Sequence, residues 1–465
     1  MKLIYLIFLT TISLPVIGQY SPIVNFPVST FEYTGDPLVD QSGDTVTFEL
    51  KVYHSIPENP KGVIYFFHGG GGSGLIWLLL VEQPFLLNEA IDRGYGIITM
   101  DSNNRNGNRW DVGMDTNGNI VGQNDSYDTE HVWMVHQNML DNGKYDEDTP
   151  LFAVGFSNGG AFTSRLGLRA SSYFIDNEPD LPHVNHLVPF SAVAIYGALG
   201  SYAKAAEYNV PTIFNVGIND NKVPPYPNMT WHPDWPYAPG NTVVFTHQKL
   251  IASGVETEFN VKPEETVNPF MFALVPGIDS SGSSVIYDSL KAIAHPITGM
   301  PFISADDSLL VHPGTNNFWK DFVPQMYQNK LPQIEQQLNV KYAGHVVFRE
   351  FRDETLDFFD GQLMSTSIND NVGAPESILN VKCYPNPFVD DLNISYNIAK
   401  SCYLDILIYD NVGRLVHAQT NQFHNAGSYN LSWQPKNRSG SVLNGIYHAT
   451  FRAENDIVNL RFIKL

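Results

Sequence analysis

Cysteine is almost missing from this chain of 465 residues, which contains only Cys383 and Cys402. Both lie near the C-terminus, so the central part of the chain has neither a thiol nucleophile nor a thiolate metal ligand. In an oxidising compartment the two thiols could form a disulfide, and the sequence leaves this pairing open.

Basic residues are also scarce, since 27 Lys and Arg stand against 48 Asp and Glu, giving a formal net charge of −21. Nucleic acid and anionic membrane surfaces would repel such a chain, which argues against both as partners. Beyond the N-terminus no apolar run is long enough to cross a bilayer. The sequence also lacks a nucleotide-binding glycine fingerprint, zinc-ligand spacing and a calcium loop, so no cofactor is expected.

What is present at the N-terminus is the segment MKLIYLIFLTTISLPVIG, with one lysine, a short apolar run and a plausible cleavage point after Gly18. This pattern is typical of a secretory signal peptide over residues 1–18 and is too short for a spanning helix. A buried N-terminal strand is the alternative. The signal predicts a secreted protein.

From about residue 45 to residue 262, apolar strand-like runs alternate with helical patterns. This alternation predicts an α/β domain over residues 19–364, with a doubly wound, mostly parallel sheet. Active groups in such sheets collect beyond the carboxyl ends of the strands. Residues 263–339 break the rhythm and are interpreted as an insertion, either a lid over the site or a packing element.

A polar, small-residue stretch over residues 365–378 is typical of a linker. Beyond it, residues 379–465 contain short alternating runs such as YLDILIYD and GIYHATFRA, separated by turn signals. This pattern predicts a small all-β sandwich as a second domain.

The most informative segment is LFAVGFSNGG, in which Ser157 occupies the centre of a G-x-S-x-G pattern. A serine on a sharp strand-to-helix turn needs almost side-chain-free neighbours two residues before and after it. The motif alone is weak, but an apolar strand precedes it and a helical pattern follows. We therefore predict that Ser157 is a nucleophile and that the amide of Asn158 is an oxyanion donor.

The loop HGGGGSG follows directly on the predicted strand GVIYFF. Its glycines leave backbone N–H groups bare, as an oxyanion loop one βα unit before the elbow requires. Gly70 is the predicted first donor, with Gly69 and Gly71 left open. The alternatives are a flexible turn and a phosphate cradle, and the second lacks the Lys-Ser/Thr ending of a P-loop.

An acid and then a histidine should follow the serine in this chain order. Asp220 comes after the strand-like PTIFNVG, and it could instead be an ordinary turn residue. His345 stands after a glycine and before the last helical pattern of the domain, and its rivals, His295 and His312, lie inside the insertion. We predict Asp220 as the acid and His345 as the base.

Two other features lie near these candidates in the sequence. An aromatic, proline-rich segment over residues 224–240 could form a flat wall for a ring or sugar, or simply pack on the domain. Its members are Tyr226, Trp231, Trp235 and Tyr237. The segment NRNGNRWD follows a predicted strand and could line the same cleft, whereas Arg109 within it is expected to be a structural salt-bridge partner.

Together, the segments HGGGGSG, GFSNGG, GINDNKVP and AGH resemble the α/β-hydrolase superfamily over residues 46–362. They are most similar to secreted esterases of the polyhydroxybutyrate depolymerase and feruloyl or acetylxylan esterase kind. The resemblance implies Ser157 as nucleophile, Asp220 as acid, His345 as base, and Gly70 with Asn158 as oxyanion donors. The chain departs from many relatives in the segment Asn215-Val216-Gly217, where they have a histidine before that glycine, and in its larger insertion.

The C-terminal segments YPNPF, YDNVGRLV, LNGIYHATFRAEN and RFIKL resemble the type A sorting domain of the type IX secretion system. A carbohydrate-binding or fibronectin-like module is the alternative. The resemblance implies the type IX machinery as a partner, with export to the cell surface or the surroundings.

The expected activity is hydrolysis of carboxylic esters through an acyl-serine. A polyester or the feruloyl or acetyl esters of a polysaccharide are the candidate substrates. Two alternatives remain: a serine peptidase of the prolyl-oligopeptidase type, and a glycan-binding protein on an inactive hydrolase scaffold.

Overall fold

The computed structural model describes residues 23–39, 42–112, 127–169, 188–200, 208–225, 242–366, 379–384, 388, 391–410, 415–435, 445–453 and 456–464. The predicted signal peptide, the aromatic residues of the segment that ends at residue 240, and most of the predicted linker lie outside these residues. The chain divides into two units, Met1–Ser367 and Ile368–Leu465.

The first unit contains an eight-stranded mixed sheet. Its strands are β1 (Ser29–Thr34), β4 (Glu49–Ser55), β5 (Val63–Phe67), β6 (Gly96–Met100), β7 (Leu151–Phe156), β8 (Phe190–Tyr196), β9 (Thr212–Gly217) and β10 (Thr257–Lys262). Two short strands, β2 (Leu38–Val39) and β3 (Thr45–Val46), pair separately. The order across the sheet is β1-β4-β6-β5-β7-β8-β9-β10.

Strands β1 and β4 pair antiparallel at one edge, and β4 is antiparallel to β6, whereas the pairs from β6 onward are parallel. This order and the surrounding helices confirm the predicted doubly wound, mostly parallel sheet. The chain passes from β5 to β6 on one side and then returns to β7 on the other. Ligand crevices form at such a reversal, beyond the carboxyl ends of the strands.

Helices cover the sheet on both faces. They are α1 (Ile76–Leu79), α2 (Gln83–Asp92), α3 (Tyr127–Asp141), α4 (Asn158–Arg169), α5 (Val243–Ala252), α6 (Ser280–Lys291), α7 (Leu331–Tyr342) and α8 (Arg352–Thr366). The sequence of β5 is continuously apolar because its alternate residues enter two different cores, one on each face of the sheet. Tyr65 belongs to the cluster that contains Val132 and Phe162 of α3 and α4, whereas Phe66 belongs to the cluster that contains Leu86 of α2.

The insertion has a core of its own. Phe272, Ile286 and Trp319 are buried in a third cluster that also includes Val81 and Phe85 of the main domain. The insertion is thereby packed against the start of α2, and its last helix, α7, leads directly into the segment that carries His345.

The second unit contains two antiparallel sheets, as predicted. One consists of β11 (Leu379–Tyr384), β12 (Leu392–Ile398) and β15 (Gly427–Trp433), and the other of β13 (Cys402–Asp410), β14 (Leu415–His424), β16 (Gly445–Ala453) and β17 (Asp456–Lys464). Ile394 from the first and Ile406 from the second share one core, as in a sandwich. No disulfide joins Cys383 to Cys402. None of the helices in the described part of the chain has the length and apolar character to cross a membrane.

Candidate active site

Ser157 occupies the turn between β7 and α4 with a backbone φ of +55°. Left-handed backbone of this kind costs a non-glycine residue about 1–2 kcal/mol and persists only where the surroundings impose it. The Ser157 N–H donates to the carbonyl of Tyr196 at the end of β8, and its own carbonyl accepts from Ala161 in α4. The turn thus holds the serine side chain at the carboxyl edge of the sheet.

The glycines on either side of the serine are required by close backbone packing. A Cβ atom on Gly155 would lie 2.2 Å from the carbonyl oxygen of Gly159 and from Oγ1 of Thr163. A Cβ on Gly159 would lie 2.3 Å from the carbonyl oxygen of Phe67, at the end of β5. The G-x-S-x-G spacing therefore allows α4 to pack directly against the ends of β5 and β7.

The structure brings Ser157, His345 and Asp220 into one hydrogen-bonded row. His345 Nδ1 lies 2.8 Å from Asp220 Oδ2, and His345 Nε2 lies 2.7 Å from Ser157 Oγ. Because a carboxylate only accepts, Nδ1 carries the proton and Nε2 is left to accept from the serine hydroxyl. The imidazole packs on the Phe156 ring, with centroids 4.9 Å apart.

Asp220 is fixed by backbone donors so that only one oxygen faces the histidine. Its Oδ1 accepts the N–H groups of Lys222 and Val223, each at 2.9 Å, and the residue is only 2% exposed. Its second oxygen, Oδ2, is the atom that meets His345. One carboxylate oxygen is therefore held by the backbone, and the other is free to orient the imidazole.

The loops of the acid and the histidine are packed backbone against backbone. Ala343, the residue after α7, has a φ of +54°, and its carbonyl accepts the N–H of Asn219 at 2.9 Å. A Cβ on Gly217 would lie 2.0 Å from that same carbonyl oxygen. The Asn219 side chain adds a bond from Nδ2 to the carbonyl of Tyr342 at 2.8 Å. The register between Asp220 and His345 is set by these contacts.

Backbone amides face the other side of the serine. A Cβ on Gly70 would lie 3.7 Å from the Cβ of Asn158, so these two predicted donors are neighbours. Within the residues that the structure describes, the N–H groups of Gly69, Gly70 and Asn158 have no hydrogen-bond acceptor. The N–H of Gly71, which the sequence left open as a donor, is bonded to the carbonyl of Asn108.

A separate loop, residues 102–111, clamps the glycine loop, and sequence reasoning missed its central residue, Trp110. Its backbone N–H donates to Asn158 Oδ1 at 2.7 Å, and its indole Nε1 donates to the carbonyl of His68 at 2.8 Å. Asp128 in turn accepts the N–H groups of Asn103 and Asp111, at 2.6 and 2.7 Å. Trp110 therefore connects the first turn of α4 to the loop that carries Gly70.

Two ionisable residues in contact with this loop, His68 and Asp128, have shifted pKa values. Burial lowers the pKa of His68 to about 4, so its imidazole is neutral at pH 7. Its ring lies on Trp110 with centroids 4.9 Å apart, and Nδ1 donates to the carbonyl of Gly69. Burial raises the pKa of Asp128 to about 7, against the effect of its two backbone donors.

The remaining candidates are not part of the hydrogen-bonded row, although His312 and Arg109 lie close to it. His295 is bonded inside the insertion, where its Nδ1 accepts the N–H groups of Ile297 and Thr298. His312 accepts from the Gly314 N–H and packs on the Tyr342 ring, without a bond to Ser157. The expected salt bridge of Arg109 is absent among the described residues, and its side chain lies beside Gly70 instead.

A cleft with a volume of about 150 Å³ lies on the glycine-loop side of the site. Its lining residues are His68, Gly69, Gly70, Gly71, Gly72, Ile76, Trp77, Leu80, Gln83 and Phe156. Sequence reasoning missed α2, on which Gln83 is the first residue, although a proline at the start of QPFLLNEAID is a signal for a helix N-terminus. Within the described ranges, no group of three or more His, Cys, Asp or Glu side chains is arranged to hold a metal ion.

Residues 382–464 match the family described as "Secretion system C-terminal sorting domain". The protein is therefore exported through the type IX system to the cell surface or the surroundings. No curated protein sequence matches the chain.

Several solved structures are similar to the first unit. A dienelactone hydrolase from Anabaena variabilis is 15% identical, with 51% of this chain and 87% of that chain covered and a TM-score of 0.30. A carboxyl esterase from Bacillus coagulans is 11% identical, with 50% and 90% covered and a TM-score of 0.30. An acylaminoacyl peptidase from Pyrococcus horikoshii is 12% identical, with 50% and 37% covered and a TM-score of 0.32. Similarities of this size say nothing about the activity of this chain.

Proposed function

We propose that the protein is an exported serine esterase that hydrolyses carboxylic esters through an acyl-serine intermediate. The observation that carries this proposal is the row Asp220–His345–Ser157, in which Nε2 lies 2.7 Å from the serine hydroxyl beside unbonded backbone amides. A nucleophile, a base, an orienting acid and oxyanion donors are the parts that acyl transfer needs.

Each part has one role in the reaction. Ser157 Oγ attacks the ester carbonyl while His345 Nε2 takes its proton, and Asp220 holds the imidazole in the required tautomer. The developing oxyanion accepts hydrogen bonds from the N–H groups of Gly70 and Asn158, each of which contributes roughly 10²–10³ in rate. His345 then returns the proton to the leaving alcohol, and a water molecule repeats the sequence on the acyl-serine.

The substrate class follows from where the protein works and from its open site. A polyester, or the feruloyl or acetyl esters of a polysaccharide, would meet an enzyme at the cell surface without entering the cell. Assays on polyhydroxybutyrate, ethyl ferulate and acetylated xylan would rank these substrates against short p-nitrophenyl esters.

The direct test is Ser157→Ala in the full chain. We expect turnover of p-nitrophenyl esters to fall about 10⁴-fold or more, because the acyl-enzyme can no longer form. Thermal unfolding should occur near the native temperature, because alanine occupies the left-handed turn as serine does and only the Oγ bond to His345 is lost. A fluorophosphonate should label the native protein and not the variant, and near-native turnover by Ser157→Ala would refute the proposal.

Amide substrates separate an esterase from a peptidase. The matched p-nitroanilides should be hydrolysed far more slowly than the p-nitrophenyl esters of the same acids. Efficient hydrolysis of the anilides would indicate that the same residues form the active site of a peptidase. A protein that is inert toward esters, anilides and fluorophosphonate would instead be a binding protein.

A further inference from the structure

The cleft beside the glycine loop lies next to the proposed nucleophile Ser157, which is not itself one of its lining residues. A Cβ on Gly69, which lines the cleft, would lie 3.4 Å from the Cβ of Ser157 and 2.9 Å from the Phe156 ring. His345 is not among the lining residues. Because the leaving alcohol must receive its proton from His345, the group that enters this cleft is the acyl half of the ester.

The cleft has an apolar wall with unburied surface. Ile76, Leu80 and Phe156 line it and are all only half-buried, and Trp77 completes the wall. The cleft volume of about 150 Å³ is below that of a site for a drug-sized ligand, so the cleft suits a short acyl group. Such a group would cover this apolar surface and gain the free energy of its burial.

Gln83 is the polar exception in the wall, and a buried network fixes its orientation. Gln336 Oε1 accepts the backbone N–H groups of Val81 and Glu82, at 2.8 and 3.2 Å. An amide nitrogen cannot accept these bonds, so the Gln336 nitrogen must lie on the other side. That nitrogen donates to Gln83 Oε1 at 2.7 Å.

The bond to Gln336 leaves the amide nitrogen of Gln83 as a hydrogen-bond donor for a ligand. With its oxygen bonded to Gln336, Gln83 has its Nε2 left over, and this nitrogen has no acceptor among the described residues. This nitrogen is not fully enclosed by protein atoms, and Gln83 lines the cleft, so a ligand in the cleft can reach it. A binding site that holds a polar donor in an apolar wall selects ligands that carry an acceptor at that point.

We propose that this cleft is the acyl-binding site and that the Gln83 amide selects acyl groups with a hydrogen-bond acceptor oxygen away from the ester. The inference rests on the proposed esterase function and adds a preference that esterase chemistry alone does not require. Gln336 acts as a positioning residue, because it decides which end of the Gln83 amide faces the substrate.

The test uses acyl groups that differ only in the acceptor. The 4-nitrophenyl esters of 4-oxopentanoic, 5-oxohexanoic and 6-oxoheptanoic acid are compared with those of pentanoic, hexanoic and heptanoic acid. For each pair, the ratio of kcat/KM measures the preference for the acceptor while the leaving group stays constant. At the preferred chain length we expect Gln83→Met to lower this ratio about ten-fold, the effect of one hydrogen bond.

Three controls make the result specific. Hydrolysis of the plain alkanoates by Gln83→Met is the reference within each pair, so a general loss caused by the substitution cancels in the ratio. Gln336→Met should lower the acceptor ratio by a smaller factor, since Gln83 is then free to turn. Gln328→Met, which removes two amide bonds to the carbonyls of Lys320 and Val323 within the insertion, should leave the ratio unchanged.

The outcomes separate the two proposals. If native protein hydrolyses the esters and is labelled by fluorophosphonate, but Gln83→Met leaves every acceptor ratio unchanged, the acyl-site inference is wrong and the esterase proposal stands. A substitution that changes selectivity among alcohols at constant acyl group would place the leaving group in this cleft and also overturn the inference. Absence of both turnover and labelling would refute the esterase function itself.

Discussion

The loops of Asp220 and His345 lie backbone against backbone, with Gly217 facing the carbonyl of Ala343. The glycine loop on the opposite side of Ser157 is held by the loop 102–111, through the side-chain bond of the Trp110 indole to the His68 carbonyl and one backbone bond from Gly71 to Asn108. The loop 102–111 is held in turn by the Asp128 carboxylate of α3. We call the first arrangement the acid–base side and the second the donor side. The same serine is thus served by two supports that differ in physical kind.

This difference determines what each side cannot tolerate. Backbone packing at van der Waals distance fails when volume is added, because neighbouring main chain cannot move aside cheaply. Side-chain clamps fail when a hydrogen bond is removed, and a single bond is worth about 1 kcal/mol. Substitutions that add one methyl group should therefore damage the acid–base side most, and substitutions that delete one polar atom should damage the donor side.

The largest effect is expected from Gly217→Ala. Its new methyl group would lie 2.0 Å from the carbonyl oxygen of Ala343, so one of the two loops must shift. A shift of about 1 Å between Asp220 and His345 is expected to lower kcat/KM about 10²-fold. The measurement is ester turnover together with the thermal unfolding midpoint.

A matched control for this prediction is Gly361→Ala in α8, where an added Cβ meets no atom within 4 Å. We expect unchanged turnover and a small gain in stability, up to about 1 kcal/mol, from better helix propensity. Native activity in Gly217→Ala, or equal damage in both variants, would contradict the backbone-packing account of the acid–base side.

A smaller effect is expected from Trp110→Phe, which tests the donor side. The variant loses the indole bond to the His68 carbonyl but retains the backbone bond to Asn158. We expect kcat to fall about ten-fold, because loss of this bond displaces the Gly70 N–H that the oxyanion accepts in the proposed transition state.

Trp319→Phe is the matched control for this substitution, because Trp319 makes the same kind of bond, to the carbonyl of Pro313, inside the insertion. Its kcat should remain native even if its stability falls. Equal losses of kcat in the two variants would mean that general destabilisation explains the Trp110 effect.

The smallest effect is a dependence of stability on pH, to which His68 on the donor side contributes. Burial lowers the pKa values of His54, His68 and His247 to about 4, below the ordinary 6.5. Their stabilising contribution is complete above pH 6.5 and is lost as the pH falls from 6.5 to 4, where the unfolded state binds more protons.

Asp128 acts in the opposite sense, since its raised pKa of about 7 means that the folded state binds a proton first. Its contribution is complete below pH 3.8 and is lost as the pH rises to 7. Three histidines outweigh one carboxyl, so we expect the temperature at which ester turnover is lost to fall by several degrees between pH 7 and pH 4.5. A midpoint that is constant or rises toward pH 4.5 would contradict this balance.

The sequence predicted those features of the fold that depend on local patterns. An apolar run before Gly155 and a helical pattern after Ser157 are visible within twenty residues, and they correspond to β7 and α4. Chain order then directed attention to Asp220 and His345, which the structure brings to the same serine. The alternation of strand and helix also sufficed for the doubly wound sheet.

What the sequence could not predict depends on where distant loops meet. Trp110 reaches Asn158 across 48 residues, and Gln336 reaches Gln83 across 253 residues, so neither pairing leaves a local signal. Arg109 was expected to form an ion pair because arginine side chains commonly do so, but its side chain lies beside Gly70 of the glycine loop. Side-chain clamps of this kind become visible only in three dimensions.

The separation of the reacting groups along the chain has a consequence for the cell that makes this protein. His345 is 188 residues from Ser157 and 125 from Asp220. Closing loops of that length costs conformational entropy that only the assembled cores offset. Under the proposed esterase function, a nascent or clipped chain that ends before His345 lacks the base and should therefore be inert, so that activity would begin only once residues 19–364 have been made and folded.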